Sequence, residues 1–283
     1  MVNLQEIQNA FNIPAITSET VLTKGKTATT YLLQTNTSKQ FILKSIDTKD
    51  QANFEHQLMQ HIRTKDEKIV SEILTTKSCE PYIQIDQNLY QLQGYIPTVN
   101  ERAPLHNVLM TYQKLQQYLE DFQYELARPN RFALDELWME TKDLLYDQLQ
   151  EIYNEVCPSI EVLQALDRNQ ENWIHGDLGA WNIIYTTEGN VCFIDFSDVR
   201  KGPRYFDLAA IFASYLPQDL TVFEMYAKQF LSELDAPINL QEFYQTLELW
   251  YSKGILSLLK LKIPSVKEHI LNFYHIIKYI RAL

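Results

Sequence analysis

One stretch constrains the fold of this chain more than any other: Trp173 to Ala209, which reads WIHGDLGAWNIIYTTEGNVCFIDFSDVRKGPRYFDLA. Four of the seven glycines of the whole chain fall inside it, at 176, 179, 189 and 202. Glycine is costly in regular structure, so such a cluster marks a backbone that needs unusual geometry. Two apolar runs, Ile183 to Tyr185 and Val191 to Phe196, flank Thr186-Thr187-Glu188-Gly189-Asn190, the pattern of a tight β-hairpin. Asn182 then opens the first strand and Asp195 lies near the end of the second, ends that are neighbours in an antiparallel pair. Asp177 precedes Asn182 on a loop that Gly176 and Gly179 allow to curl. The expectation is that Asp177, Asn182 and Asp195 converge.

Those residue types suggest a division of labour. Hard divalent cations take oxygen ligands, and Mg²⁺ takes few protein carboxylates beside phosphate oxygens and water. Asn182 and Asp195 suit that role, which leaves Asp177 to accept a proton from a hydroxyl, as in kinases. The ordered set His175-Gly176-Asp177, Asn182, Ile194-Asp195 and Asp207-Leu208-Ala209 resembles the aminoglycoside phosphotransferase and choline kinase superfamily, which includes homoserine kinases. The match is dense from Trp173 to Ala209 and thin elsewhere. It implies an α+β, two-lobed protein-kinase-like fold: a small antiparallel-sheet N-lobe at 1–93, a hinge at 94–97, and a larger, mainly helical C-lobe at 98–283.

The rest of the sequence is compatible with that architecture. With 283 residues, 46% of them hydrophobic, there is material for one large domain or two smaller ones. Met1 to Ala10 holds no apolar block of signal-peptide length, and no later run approaches the roughly 18–20 apolar residues of a membrane span. Cys79, Cys157 and Cys192 are far apart and lack CxxC spacing, so neither a disulfide framework nor a zinc site is supported, and a reducing, cytoplasmic setting is expected. A net charge of −11 argues against nucleic-acid binding.

Along the chain, residues 1–16 read as an amphipathic helix broken at Pro14, with Leu4, Ile7 and Phe11 at helical spacing. Val21–Thr23, Thr29–Gln34 and Gln40–Ile46 read as strands. In the resembling fold the first turn between them lies over the nucleotide phosphates, here offering Gly25, Lys26 and Thr27. Lys44 ends an apolar run, an awkward place for an ammonium group without a partner. The resemblance makes it the lysine that binds the α- and β-phosphates. Its ion-pair partner is expected to be Glu55, on a helix capped around Asp47–Asp50, with Asp50 as the competitor. Tyr82–Ile85 and Leu89–Tyr95 are two further strands, and the crossing after them is where main chain at Gly94 and Tyr95 would read the adenine edge.

From Ala103 to Asn172 the pattern is helical and acidic: 13 acidic and 5 basic side chains, a net −8 of the chain's −11. Such a surface would attract a cationic acceptor, or is simply solvated. Asp198 either reaches the metal or caps the next turn. The resemblance casts Asp207 as the buried aspartate that holds the catalytic loop and His175 as an orienting group. Trp181 stands where a small residue is usual, either filling space under the loop or shaping the acceptor site. The implied activity is transfer of the γ-phosphate of ATP or GTP, with Mg²⁺, to a hydroxyl of a small molecule that resembles an aminoglycoside, choline or homoserine. Neither nucleic acid nor membrane is an expected partner. Gly176 sits where protein kinases carry an arginine, and eleven residues separate Asp195 from Asp207, both of which favour a small acceptor. The alternatives are a protein kinase of bacterial stress-response type and a catalytically silent nucleotide-binding pseudokinase.

Overall fold

The computed structural model describes residues 3–22, 29–125, 128–261 and 266–283, so Gly25, Lys26 and Thr27 lie outside the described residues. The chain divides into two compact units, Met1–Phe122 with Ile183–Ser197, and Gln123–Asn182 with Asp198–Leu283.

The first unit begins with α1 (Leu4–Phe11), started by the Asn3 side chain accepting the Glu6 N–H and stopped by Asn12 in the left-handed region at φ 53°. The helix thus ends before Pro14, because Asn12 already supplies the terminating conformation. Then come β1 (Ile16–Leu22), β2 (Thr30–Thr35) and β3 (Gln40–Ile46). β1 starts earlier than its sequence suggests: it is an outer strand carrying Thr17, Ser18 and Glu19, so it lacks the apolar alternation of a half-buried strand. α2 (Lys49–Lys65) is capped by Thr48, whose hydroxyl accepts the Gln51 N–H. β4 (Ile83–Ile85), β5 (Asn88–Gly94) and α3 (Leu105–Glu120) follow.

The five strands form an antiparallel sheet in the order β1-β2-β3-β5-β4, whose register sets Lys44 opposite Thr30 and Gln91. Leu33, Phe41, Leu43, Ile85, Tyr90 and Leu92 pack with Ile7 and Phe11 of α1. α2 buries Phe54, Glu55, Leu58, Met59 and Ile62. Each fully buried apolar side chain of this kind contributes roughly 1.5–3 kcal/mol. Glu55 is the exception that needs a polar partner.

The second unit opens with α4 (Leu134–Gln148), α5 (Gln150–Val156), α6 (Ile160–Asp167) and β6 (Asn172–Ile174). Leu149, at φ −144°, separates α4 from α5, so the apolar face with Leu145, Ile152 and Val156 buried is carried by two helices. The chain then re-enters the first unit for the hairpin β7 (Ile183–Tyr185) and β8 (Val191–Phe193). β8 stops two residues short of Asp195 instead of running to Phe196. Asp195 sits in the left-handed region at φ 62°, where a strand cannot continue, and Phe196–Asp198 form a 3₁₀ turn. The hairpin is fastened to its own unit by Phe193 N–H to Ile69 C=O at 2.8 Å and Val99 N–H to Tyr185 C=O at 3.0 Å.

Back in the second unit, β9 (Arg200–Gly202) pairs antiparallel with β6. α7 (Phe206–Tyr215), α8 (Phe223–Ser232), α9 (Leu240–Lys260) and α10 (Val266–Arg281) complete it. Their core is aromatic: the Phe212 ring lies 5.0–5.8 Å from those of Phe223, Phe230 and Phe243. A buried ion pair, Lys253 to Asp167 at 2.7 Å, ties α9 to α6, and burial brings the Lys253 ammonium down to about 8. Among the described residues no helix is long and apolar enough to cross a membrane.

Candidate active site

The loop that carries Asp177 is shaped from below. Asp207, in the first turn of α7 and fully buried, accepts the N–H groups of His175 at 2.7 Å and Gly176 at 2.9 Å. Burial pushes the Asp207 carboxyl up, while His175, the two N–H bonds and Arg200 act in the opposite direction. Gly176 has φ 82°, and a Cβ there would lie 2.1 Å from an Arg200 nitrogen and 2.5 Å from the Asp198 carbonyl. Arg200, only 4% exposed, therefore fills the space that this glycine leaves. His175 is fully buried, and its Nδ1 accepts the Asp177 N–H at 3.4 Å. That position suits an orienting group.

Asp177 itself is half-buried. The Asn182 side-chain amide donates to its carbonyl at 2.7 Å and to Oδ2 at 2.9 Å, while the Trp181 indole N–H stands 3.2 Å from each carboxylate oxygen. The Asn182 nitrogen is thus committed to Asp177. Ala180–Asn182 form a 3₁₀ turn, and the Ala180 N–H is held by Ser214 of α7 at 2.9 Å. Asp198 is met by two arginines: Arg131 Nε donates to its Oδ1 at 2.8 Å, and its carbonyl accepts from Arg200.

In the first unit, Lys44 Nζ lies 2.6 Å from Asp195 Oδ1, which also accepts the Ser197 hydroxyl at 2.8 Å. The lysine side chain is 11% exposed and that of Asp195 38%, so the carboxylate keeps access to water. Lys44 thus pairs with Asp195, a partner the sequence reading did not name for it. Glu55 is 1% exposed and accepts from Gln51 Nε2, one turn earlier on α2, at 2.7 Å. Asp50 lies in the first turn of α2, where its charge suits the helix dipole. The N–H of Gly94 goes to the Glu72 carbonyl at 2.8 Å and that of Tyr95 to the Gln40 carbonyl at 3.4 Å. Those two amides are thus bonded within their own unit.

Sequence reasoning missed Ser197, Arg131, Arg200 and the bond from Trp181 to Asp177. Arg200 had a faint trace in the glycine at 176, which leaves room for something large. Ser197 and Arg131 left none, since a serine two residues past a strand and an arginine in a distant loop are unremarkable by themselves.

The family model described as the phosphotransferase enzyme family matches residues 18–240. No curated protein matches the chain. Among solved structures, amicoumacin kinase hAmiN, in complex with AMP-PNP, Ca²⁺ and Ami, is similar with TM-score 0.71 and 14% identity over 97% of this chain and 91% of its own. An aminoglycoside phosphotransferase from Alicyclobacillus acidocaldarius gives 0.64 at 14% identity over 100% and 97%. Choline kinase LicA from Streptococcus pneumoniae gives 0.65 at 16% over 98% and 96%. These likenesses establish a kinase-like fold, and with a family match across most of its length the chain belongs to the phosphotransferase enzyme family and is a phosphotransferase.

Proposed function

We propose that the chain moves the γ-phosphoryl group of ATP or GTP to a hydroxyl of a small molecule, with Asp177 as the group that receives and orients that hydroxyl. The observation that carries this reading is the mounting of Asp177: a half-buried carboxylate steadied by Asn182 and Trp181, on a loop whose backbone is fastened to Asp207. Phosphoryl transfer needs alignment and charge neutralisation more than covalent help, so a rigidly presented acceptor of a proton is what the protein must build.

Lys44 would neutralise the α- and β-phosphates. Asp195 and the amide oxygen of Asn182 are hard oxygen donors of the kind Mg²⁺ takes, and among the described residues no group of three or more His, Cys, Asp or Glu could hold a metal ion. That donor chemistry fits an ion that arrives with the nucleotide. Bound there, Mg²⁺ would withdraw charge from the phosphate oxygens. The amicoumacin kinase complex, with an ATP analogue and a divalent cation, supports the same choice of cofactors.

A small acceptor is favoured over a protein. The eleven residues between Asp195 and Asp207 hold the 3₁₀ turn, β9 and the lead into α7, leaving no long loop on which a peptide would dock. A cationic acceptor would suit the acidic stretch 103–172, as would the aminoglycoside and choline substrates in the names of the similar proteins. The test is Asp177→Ala, assayed as ADP release over a panel of aminoglycosides, choline and simple alcohols, with nucleotide affinity measured separately. General-base loss predicts a fall of roughly 10³-fold in turnover with nucleotide affinity unchanged. Retention of more than about a tenth of the activity, one decade on a scale of 1.4 kcal/mol per decade, would remove Asp177 from the mechanism.

A further inference from the structure

We propose that Trp181 is a positioning residue for Asp177, and that Gly179 is present to seat its indole. The inference rests on the reading of Asp177 given above and deepens it. Trp181 is 61% exposed, so burial of its ring explains little of why a tryptophan stands there. Its N–H, however, is equidistant from the two Asp177 oxygens, 3.2 Å each, on the bisector of the carboxylate. Asn182 reaches one oxygen only, at 2.9 Å. The torsion that turns an aspartate's carboxylate plane is a soft one. A donor that spans both oxygens restrains that plane, and with it the direction from which the carboxylate meets an acceptor hydroxyl.

Gly179 supplies an independent observation. It is buried and its φ is not positive, so no backbone strain requires glycine. Space requires it: a Cβ at 179 would lie 2.3, 2.4 and 2.6 Å from three carbons of the Trp181 ring. The chain gives up a side chain at 179 so that the indole can lie flat against the loop with its N–H turned to the carboxylate. A ring that merely filled surface would not need so close a seat.

The bond has a signature that does not depend on turnover. The chain contains four tryptophans, so its indole N–H resonances in a ¹H–¹⁵N spectrum are few, and that of Trp181 is identified by its loss in Trp181→Phe. In Asp177→Asn the Trp181 resonance shifts upfield while the other three hold; a resonance that does not move overturns the proposal. In ADP release with ATP and Mg²⁺, Trp181→Phe lowers kcat roughly 10- to 100-fold, the worth of a hydrogen bond to a charged group, with KM for ATP and the melting temperature little changed. Gly179→Ala brings a similar fall by displacing the ring, but adds nothing in a Trp181→Ala background, where the clashing atoms are gone. Full kcat in Trp181→Phe beside a dead Asp177→Ala sinks this inference alone. An active Asp177→Ala sinks the catalytic reading, and the indole spectrum then still decides whether the bond exists.

Discussion

Replacing Asp207 by alanine removes the acceptor of two buried N–H groups, those of His175 and Gly176, bonded at 2.7 and 2.9 Å. A buried donor left without its partner costs about 1–3 kcal/mol, and two of them about 4 kcal/mol. Relief from burying the carboxylate, whose pKa burial pushes up, is offset because Arg200, itself buried, loses a nearby opposite charge. For a domain of this size each kcal/mol moves Tm by roughly 2–4 °C, so the alanine variant melts about 8–16 °C lower. Asp207→Asn keeps one acceptor oxygen and loses about half as much. The assay is a thermal melt followed by circular dichroism, with turnover measured well below the lowered midpoint. There kcat still falls at least about tenfold, or 1.4 kcal/mol of barrier, since the loop next to Asp177 has lost its anchor. A cost below about 1 kcal/mol for alanine refutes the claim that Asp207 holds the loop.

Two further outcomes follow from the first unit. Lys44→Met is expected to lower kcat/KM for ATP by roughly 10²–10³-fold while shifting Tm by only a few degrees, because Asp195 is 38% exposed and water replaces the lysine; ADP-release kinetics beside a melt separate the two effects. Cys192 is 1% exposed and burial pushes its thiol from 9.0 up to about 12, whereas Cys79 is exposed. Iodoacetamide at pH 8, read by mass spectrometry, should alkylate Cys79 in the folded protein and Cys192 only after unfolding. Since the folded thiol holds its proton where the unfolded one releases it, this contribution to stability is complete below pH 9 and lost as pH rises towards 12.

The fold was legible where side-chain chemistry is local. The hairpin announced itself through two apolar runs around a glycine, and both strands formed, though the second ends earlier because Asp195 adopts a left-handed conformation that aspartate tolerates better than most residues. β3, β4 and β5 were readable from their apolar runs. Of β1 only the end at Val21 and Leu22 was, because an outer strand with Thr17, Ser18 and Glu19 has no buried face to impose alternation. The two backbone N–H bonds that Asp207 accepts were foreshadowed by the family resemblance. Partner choice was less so: whether Lys44 meets Glu55 or Asp195 depends on how β3, α2 and the hairpin pack. Sequence spacing does not encode the distances; the structure pairs Lys44 with Asp195 and bonds Gln51 to Glu55. The Trp181 bond was illegible for a similar reason, since a side chain's direction on a 3₁₀ turn depends on what its neighbours lack as much as on what they carry.

The hairpin at 183–197 is the last part of its unit to leave the ribosome. Val70 bridges to Phe193 and Thr98 to Thr186, so partners made early in synthesis wait for ones made late. Everything from Gln123 to Asn182 is synthesised between them. Proteolysis or gene truncation near residue 122 would therefore release a fragment with bare hydrogen-bonding edges at Ile69 and Val99, and neither half of this protein is a natural cassette for grafting elsewhere.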